Sequence, residues 1–286
     1  MIFNNKITII IVAYDSTNLI FECLKNLKNF NIIIVDNKND KIIINKLKMY
    51  KNISIITKNK NLGFGNAVNF AFEYVDTEHF LILNPDIIIS EDSILKIKNT
   101  IDKYENCAIA APINIPDDDS FGIFPEKRVL YETNKSKILN KTNLNLQKPI
   151  GETCVDVSKG CALLIKSKYF KKVGGFSKEF FLFWEEVDLC RKFRKEGLSV
   201  IINPDSLAEH KQGNSTKKNI FSFLIRSYHN EISPLYYFKV NKFNAKIYKN
   251  ILKYCFRSIS YIFIFNLRGS LKNLAKLYAN INYILK

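Results

Sequence analysis

No stretch of the chain approaches the ~20 consecutive apolar residues that cross a bilayer. The nearest, Ser258 to Leu267, is bracketed by Arg257 and Arg268, so a spanning helix is not expected. Met1 to Asp15 carries Lys6 as its one basic charge, has no small-residue cleavage site and is rich in β-branched side chains, which reads as a strand and not a signal peptide. The six cysteines, at 23, 107, 154, 161, 190 and 255, form no CxxC pair and no regular framework, as expected of buried structural thiols in a reducing compartment. Glycine is missing from Val12-Ala13-Tyr14-Asp15-Ser16, the exit of the first strand, so neither a Rossmann phosphate loop nor a P-loop is present there. Gly63-Phe64-Gly65 lies after the third strand and lacks the third glycine of a dinucleotide fingerprint. A dehydrogenase is therefore a poor fit. No internal repeat is visible.

Acidic residues are also scarce, 27 against 43 Lys and Arg, which gives a formal charge of +16 over 286 residues. The excess is concentrated in Lys217 to Lys286, where thirteen basic residues face one acid, Glu231, a net +12. Aromatic residues such as Phe221, Tyr236, Tyr254, Phe263 and Tyr283 are interleaved with these cations. Anionic membrane surface and nucleic acid both become candidate partners. An apolar content of 47% with a mean hydropathy of -0.08 fits a globular chain of one or two domains.

Lys6 to Ala13 and Asn31 to Asp36 are β-branched runs separated by Leu19 to Asn29, where Leu19, Ile20, Cys23, Leu24 and Leu27 recur at helical spacing. Ile53 to Lys58 gives a third strand, Ala67 to Tyr74 a second helix and His79 to Leu83 another strand. This alternation predicts an α/β fold with a parallel, doubly wound sheet whose ligands sit at the carboxyl ends of the strands. The residues just past those ends are Tyr14-Asp15, Asp36-Asn37 and Asn84-Pro85-Asp86. Pro112 to Gly151 is polar and turn-rich and is expected to be an irregular loop or lid. Val155 to Lys166 returns to strand character, Glu185 to Glu196 reads as a helix stopped by Gly197, and Leu198 to Asn203 as a further strand. From Asn219 the pattern is helical and amphipathic, with a break expected at Pro234.

Asp86 leaves a strand where a carboxylate can hold a divalent ion on phosphate oxygens, although Asn-Pro-Asp is also a common exit turn. Asn203-Pro204-Asp205 repeats the tripeptide and is read as a turn. Asp36 suits either hydrogen bonds from a nucleotide's base or ribose or an Asx turn. In the helix at Glu185, Glu186 shares a face with Leu189, Cys190 and Phe193, whereas Glu185 shares one with Asp188 and Lys192. Glu186 therefore points inward as a desolvated carboxylate suited to general-base work, or is a charge tolerated at a helix start. His210, after a strand, is either a metal ligand or a structural histidine.

Taken in order, Ile9-Ile10-Ile11-Val12-Ala13-Tyr14, Ile34-Val35-Asp36-Asn37, Asn61-Leu62-Gly63-Phe64-Gly65-Asn66, Leu83-Asn84-Pro85-Asp86, Gly174-Gly175-Phe176 through Glu186-Val187-Asp188-Leu189-Cys190, and His210 resemble the family 2 glycosyltransferases, especially the rhamnosyltransferase-like branch. The resemblance covers about residues 6 to 216. It implies a GT-A fold over 1–216, to which the composition adds a basic, aromatic-rich helical extension over 217–286. It also implies inverting transfer from a nucleotide-diphosphate sugar to a saccharide or lipid-linked acceptor in bacterial surface polysaccharide biosynthesis.

Carried over by position, Ala13, Tyr14, Asp15, Asp36, Gly63, Asn66, Asn84 and Asp86 would bind the nucleotide sugar. Asp86 and His210 would hold Mg²⁺ or Mn²⁺, Glu186 would be the base, and Trp184 and Glu185 would lie on the acceptor side. Two positions depart from the family pattern: Glu186 stands where aspartate is usual, and Asn84 supplies no second acid to the metal motif. The implied location is cytoplasmic, peripheral on the inner face of the membrane, with the 217–286 extension on anionic lipid. A basic nucleic-acid-binding protein is the alternative from another class, and acids gathered at the strand ends oppose it. A non-catalytic sugar-nucleotide binder is the third reading.

Overall fold

Strand β1 (Ile7–Ala13) is buried along its whole length, and the alternation of its side chains divides the core into two layers. Ile7, Ile9, Ile11 and Ala13 face Ile20 and Cys23 of α1 (Thr17–Leu24), Ile43 and Leu47 of α2 (Lys41–Leu47), and Ile94, Ile97 and Ile101 of α4 (Glu91–Lys103). Ile10 and Val12 face the opposite layer. There they meet Ala67, Val68 and Ala71 of α3 (Gly65–Phe72), Phe170 of α5 (Ser167–Lys172), and Leu189, Cys190 and Phe193 of α6 (Glu185–Lys195). These details come from a computed structural model that describes residues 6–116, 121–122, 149–211, 219–242 and 245–285. Most of the expected loop or lid between Pro112 and Gly151 lies outside the described residues.

Helices α2 and α4 are additional to those expected, and both begin on local capping chemistry. The Asp40 carboxylate accepts the Ile42 N–H at 2.9 Å, and Ser90 Oγ accepts the Ser93 N–H at 3.1 Å, satisfying donors a helix start leaves open. Glu91 and Asp92 in the first turn of α4 complement its dipole.

The strands β2 (Asn31–Asp36), β3 (Ile53–Thr57) and β4 (His79–Leu83) complete a parallel half with β1, ordered β3-β2-β1-β4. Beyond β4 the sheet becomes mixed. β10 (Ala162–Lys166) runs antiparallel to both β4 and β6 (Cys107–Ile115), β11 (Ser199–His210) is parallel to β6, and β5 (Ile87–Ile89) and β8 (Thr153–Val155) pair antiparallel with β11. A second, two-stranded sheet joins β7 (Phe121–Gly122) to β9 (Val157–Ser158). The doubly wound sheet of the sequence reading is present, and its antiparallel members were not legible because a run such as Ala162–Lys166, buried throughout, reads the same in either direction.

Asn203-Pro204-Asp205 is a bulge inside β11 and not the expected turn. The register against β6 slips between Asn203 and Leu207. Turn chemistry is present, since the Asp205 N–H donates to Asn203 Oδ1 at 2.8 Å, but Asn203 Nδ2 also donates to Thr100 Oγ1 at 2.8 Å and holds the strand against α4. Of the cysteines, Cys23, Cys107, Cys161 and Cys190 are buried as expected, whereas Cys154 and Cys255 are exposed.

The chain forms two compact units, Met1–Ser177 with Glu186–Thr216, and Lys178–Glu185 with Lys217–Lys286. The second contains α7 (Ile220–Val240), α8 (Ile247–Phe263) and α9 (Leu267–Leu285). Asn219 starts α7 through a reciprocal cap with Ser222, and the helix runs through Pro234 without the expected break. Proline removes one N–H there, and the burial of Ile232, Leu235, Tyr237 and Phe238 around it holds the helix together. Lys178–Glu185 packs on α7: Ser233 Oγ donates to the Leu182 carbonyl at 2.7 Å, and Phe181 stacks on His229 at 4.7 Å between centroids. Among the described residues no helix is long and apolar enough to cross a membrane.

Candidate active site

The first unit gathers the ends of β1, β2, β4 and β11 with the starts of α3 and α6. Ala13, Tyr14 and Asp15 leave β1 through a tight turn in which Ser16 Oγ accepts the Tyr14 N–H at 3.2 Å and donates to the Tyr14 carbonyl at 3.0 Å. Asp15 is left-handed, with φ 57°, and its carboxylate accepts Lys38 Nζ at 2.5 Å. That hydrogen bond raises the Lys38 pKa. Tyr14 remains exposed.

Asp36 ends β2 almost completely buried. Its Oδ1 accepts the Lys38 N–H at 3.0 Å and its Oδ2 the Asp40 N–H at 2.6 Å, so the turn geometry considered from the sequence is present. A carboxylate has about four acceptor positions, which leaves capacity for a ligand donor. Asn37 holds a role that the sequence did not suggest. Its backbone N–H donates to the Ala13 carbonyl at 2.9 Å, its Nδ2 to the Gly63 carbonyl at 2.8 Å, and its Oδ1 accepts the Leu62 N–H at 3.3 Å. One residue, through its backbone N–H and its side chain, thereby ties the exits of β1 and β2 to the loop that opens α3. Gly63 sits at φ 78° in that loop, and Asn66 lies in the first turn of α3.

Asn84 and Asp86 lie between β4 and β5. Antiparallel pairing of His210 with Ile87 carries His210 Nε2 to 3.6 Å from Asp86 Oδ2. Lys211 closes the arrangement: its N–H donates to the Asp86 carbonyl at 3.0 Å and its Nζ donates to Glu22 on α1 at 2.6 Å. The buried Asp86 Oδ1 has no hydrogen-bond partner among the described residues. A buried carboxylate oxygen without a donor is costly unless a cation or ligand completes it. Below it, burial first and the Asp86 charge second push the Cys23 thiol up to about 12, so it is a neutral packing group. Among the described residues no cluster of three or more metal-ligating side chains occurs.

Glu186 begins its face of α6 half-buried, and desolvation raises its pKa above the ordinary carboxylate range. The inward face is as expected, with Leu189, Cys190 and Phe193 all buried. The other face is not solvent-exposed, however, because Glu185 and Asp188 are also buried. Asp188 accepts Ser177 Oγ at 2.6 Å and lies 3.8 Å from Lys192 Nζ, which in turn donates to the Gly175 carbonyl at 2.9 Å.

Gly160-Cys161 links this helix to the β4 exit, a connection absent from the sequence reading. The Cys161 carbonyl accepts the Asn84 N–H at 2.9 Å, and a methyl group placed on Gly160 would stand 3.4 Å from Glu186 Cβ and 3.7 Å from Phe64 Cε1. The Gly63-Phe64 loop, the Asn84 segment and Glu186 thus share one wall. In the second unit, Phe183 and Trp184 are both left-handed, at φ 68° and 70°, and the Trp184 indole rests 5.3 Å from the Tyr237 ring.

A family model described as "Glycosyl transferase family 2" matches residues 8–171. "Rhamnosyltransferase WbbL" of Escherichia coli is 28% identical over 220 residues, covering 71% of this chain and 82% of that protein. "dTDP-rhamnosyl transferase RfbF" of Shigella flexneri is 24% identical over 222 residues, 75% of this chain and 72% of that one. Among solved structures, the mannosyltransferase PcManGT of Pyrobaculum calidifontis, in complex with GDP-Man and Mn2+, has a TM-score of 0.57 at 12% identity, over 98% of this chain and 74% of that chain. That likeness establishes the GT-A fold. With more than half of the chain matched by the family model and the strand-end residues brought together as described, the chain belongs to glycosyl transferase family 2 and is a nucleotide-sugar-dependent glycosyltransferase.

Proposed function

We propose that the protein is an inverting, metal-dependent transferase that moves a deoxyhexose, rhamnose in the leading case, from a nucleotide diphosphate to a saccharide or lipid-linked acceptor of surface polysaccharide synthesis. The names of the two similar bacterial proteins support the donor class. The observation that carries the mechanism is the shared wall of Gly160-Cys161, which sets Glu186 beside the segment bearing Asn84 and Asp86. In this reading the nucleotide lies against Tyr14, Asp36 and the Gly63 loop.

Asp86 and His210 would hold a divalent cation, since Asp86 Oδ1 is a carboxylate oxygen without a hydrogen-bond donor and the His210 imidazole lies 3.6 Å from Asp86 Oδ2. Mg²⁺ or Mn²⁺ held by these residues would supply positive charge to offset that of the diphosphate. Glu186 takes the proton from an acceptor hydroxyl, whose oxygen attacks the anomeric carbon while the bond to the diphosphate oxygen breaks on the opposite face. The configuration inverts. The 217–286 extension, with its net +12, would hold the enzyme on the inner, anionic face of the cytoplasmic membrane.

Calorimetric titration with UDP, GDP and dTDP, with and without Mn²⁺, tests the donor and metal assignments. dTDP is expected to bind best and only with metal, and Asp86→Ala is expected to abolish that dependence. Equal affinity with and without Mn²⁺ would remove the metal from the scheme, and no binding of any nucleotide would remove the transferase mechanism.

A further inference from the structure

The helical hairpin of α8 and α9 has its polarity reversed relative to a helix pair that packs in water. Its buried positions are Asn250, Tyr254 and Ser258 on α8 and Ser270, Asn273, Ala279 and Asn280 on α9, nearly all small or polar. The seam is closed by hydrogen bonds to Glu231 of α7, from Tyr254 Oη at 2.8 Å and Asn280 Nδ2 at 3.4 Å. Most of the large apolar side chains of the pair are exposed. Leu252, Phe256, Ile259 and Phe263 form a stripe on α8, and Leu267, Leu271, Leu274, Tyr278, Ile281 and Leu285 form one on α9. The connecting residues Ile264 and Phe265 are 66% and 93% exposed. Water expels such a surface, whereas helices in an apolar medium join through small and polar residues and turn their large apolar side chains outward.

We infer that the α8–α9 hairpin is a monotopic membrane element whose apolar stripes and Ile262–Leu267 turn insert into the acyl layer of an anionic leaflet without crossing it. The inference deepens the membrane reading above and rests on it, but replaces adsorption by charge with burial of a defined surface. Two observations select lipid over a second copy of the chain. Arg257, Arg268 and Lys272 flank the stripes, and no acid follows Glu231, so a self-paired hairpin would bring like charges together, while an anionic leaflet neutralises them. Insertion is expected to stop short of spanning because no helix here is apolar enough to cross.

The test is flotation of the full-length protein with phosphatidylglycerol/phosphatidylcholine vesicles in about 0.15 M and about 0.5 M NaCl, which screens surface charge to a few Å. Retention at the higher salt is expected, with a fall of about tenfold or more in vesicle partition for the double variant Phe263→Asp/Phe265→Asp. Phe265→Trp is expected to add blue-shifted emission quenched by brominated lipid, relative to the wild type with Trp184 alone. Full release at 0.5 M salt, or unquenched emission at 265, would overturn insertion. Lipid-free dimerisation abolished by the double variant would assign the face to a second copy and overturn it too. Neither variant lies in the proposed active site, so dTDP titration of the same samples separates failure of this inference from failure of the transferase mechanism.

Discussion

Glu186, the proposed base, would carry its function and its cost in the same side chain. Desolvation raises its pKa, so the folded state holds a proton more tightly than the unfolded chain, and stability from this group falls as pH rises through the raised value. Above that value the ionised carboxylate is destabilising and, in the proposed mechanism, is the form that takes the acceptor proton. Glu186→Gln is therefore expected to lower transfer turnover by about 10²–10⁴, the usual yield of a positioned base. Thermal unfolding of the variant at neutral pH should occur at the wild-type temperature or above it, the difference closing as pH is lowered. In the wild type, kcat/KM should rise with pH through a midpoint above ordinary glutamate values. A variant that loses stability in parallel with activity would make Glu186 a structural residue.

At the level of elements, the active-site wall depends on loops fixed by single amides. Asn69 on α3 clamps Phe176, donating from Nδ2 to its carbonyl at 2.8 Å and accepting its N–H on Oδ1 at 2.9 Å. The clamp requires glycine next to it. Gly175 has φ +67°, and a Cβ there would lie 2.5 Å from Asn69 Oδ1 and 3.1 Å from the Phe170 ring. Gly175→Ala is expected to cost about 1–3 kcal/mol from the backbone conformation alone, with further loss from the displaced amide. For a unit of this size that lowers the melting temperature by at least about 2–4 °C per kcal/mol. An unchanged melting curve would show that the Gly174-Gly175-Phe176 turn relaxes freely. The same logic explains the stretch from Val155 to Lys166: its β-branched residues promise a strand, yet Lys159-Gly160-Cys161 interrupts it to reach Glu186 and Asn84.

The compact units divide where the composition changes, at 216/217, but not there alone. Charge shifts at about residue 217, but Lys178–Glu185 belongs to the compact unit of the C-terminal helices, with Phe181 on His229 and Trp184 on Tyr237. Removal of 217–286 is consequently expected to leave those aromatic side chains without their partners. The truncated chain should aggregate or expose surface to a hydrophobic dye, where a merely appended tail would leave a monodisperse protein. A soluble, monodisperse truncation with wild-type nucleotide affinity would overturn that expectation.

Much of the site was legible because strand exits are marked locally. A β-branched run followed by Asp36, or by Asn84-Pro85-Asp86, announces both the strand and the residue that leaves it, and the order of such exits carried the family. Residue periodicity also predicted the buried face of Glu186. It could not supply partners far apart in the chain. The pairing of Asp86 with His210, the Asn37 ties to Ala13 and Gly63, and the Cys161 contact with Asn84 all depend on which strands lie side by side. The hairpin shows the same division. Its sequence determined that Leu252, Phe256, Ile259 and Phe263 share one stripe, because helical spacing is local. Only the tertiary structure decided that this stripe faces outward, because hydrogen bonds from Tyr254 and Asn280 to Glu231 draw the polar face into the seam.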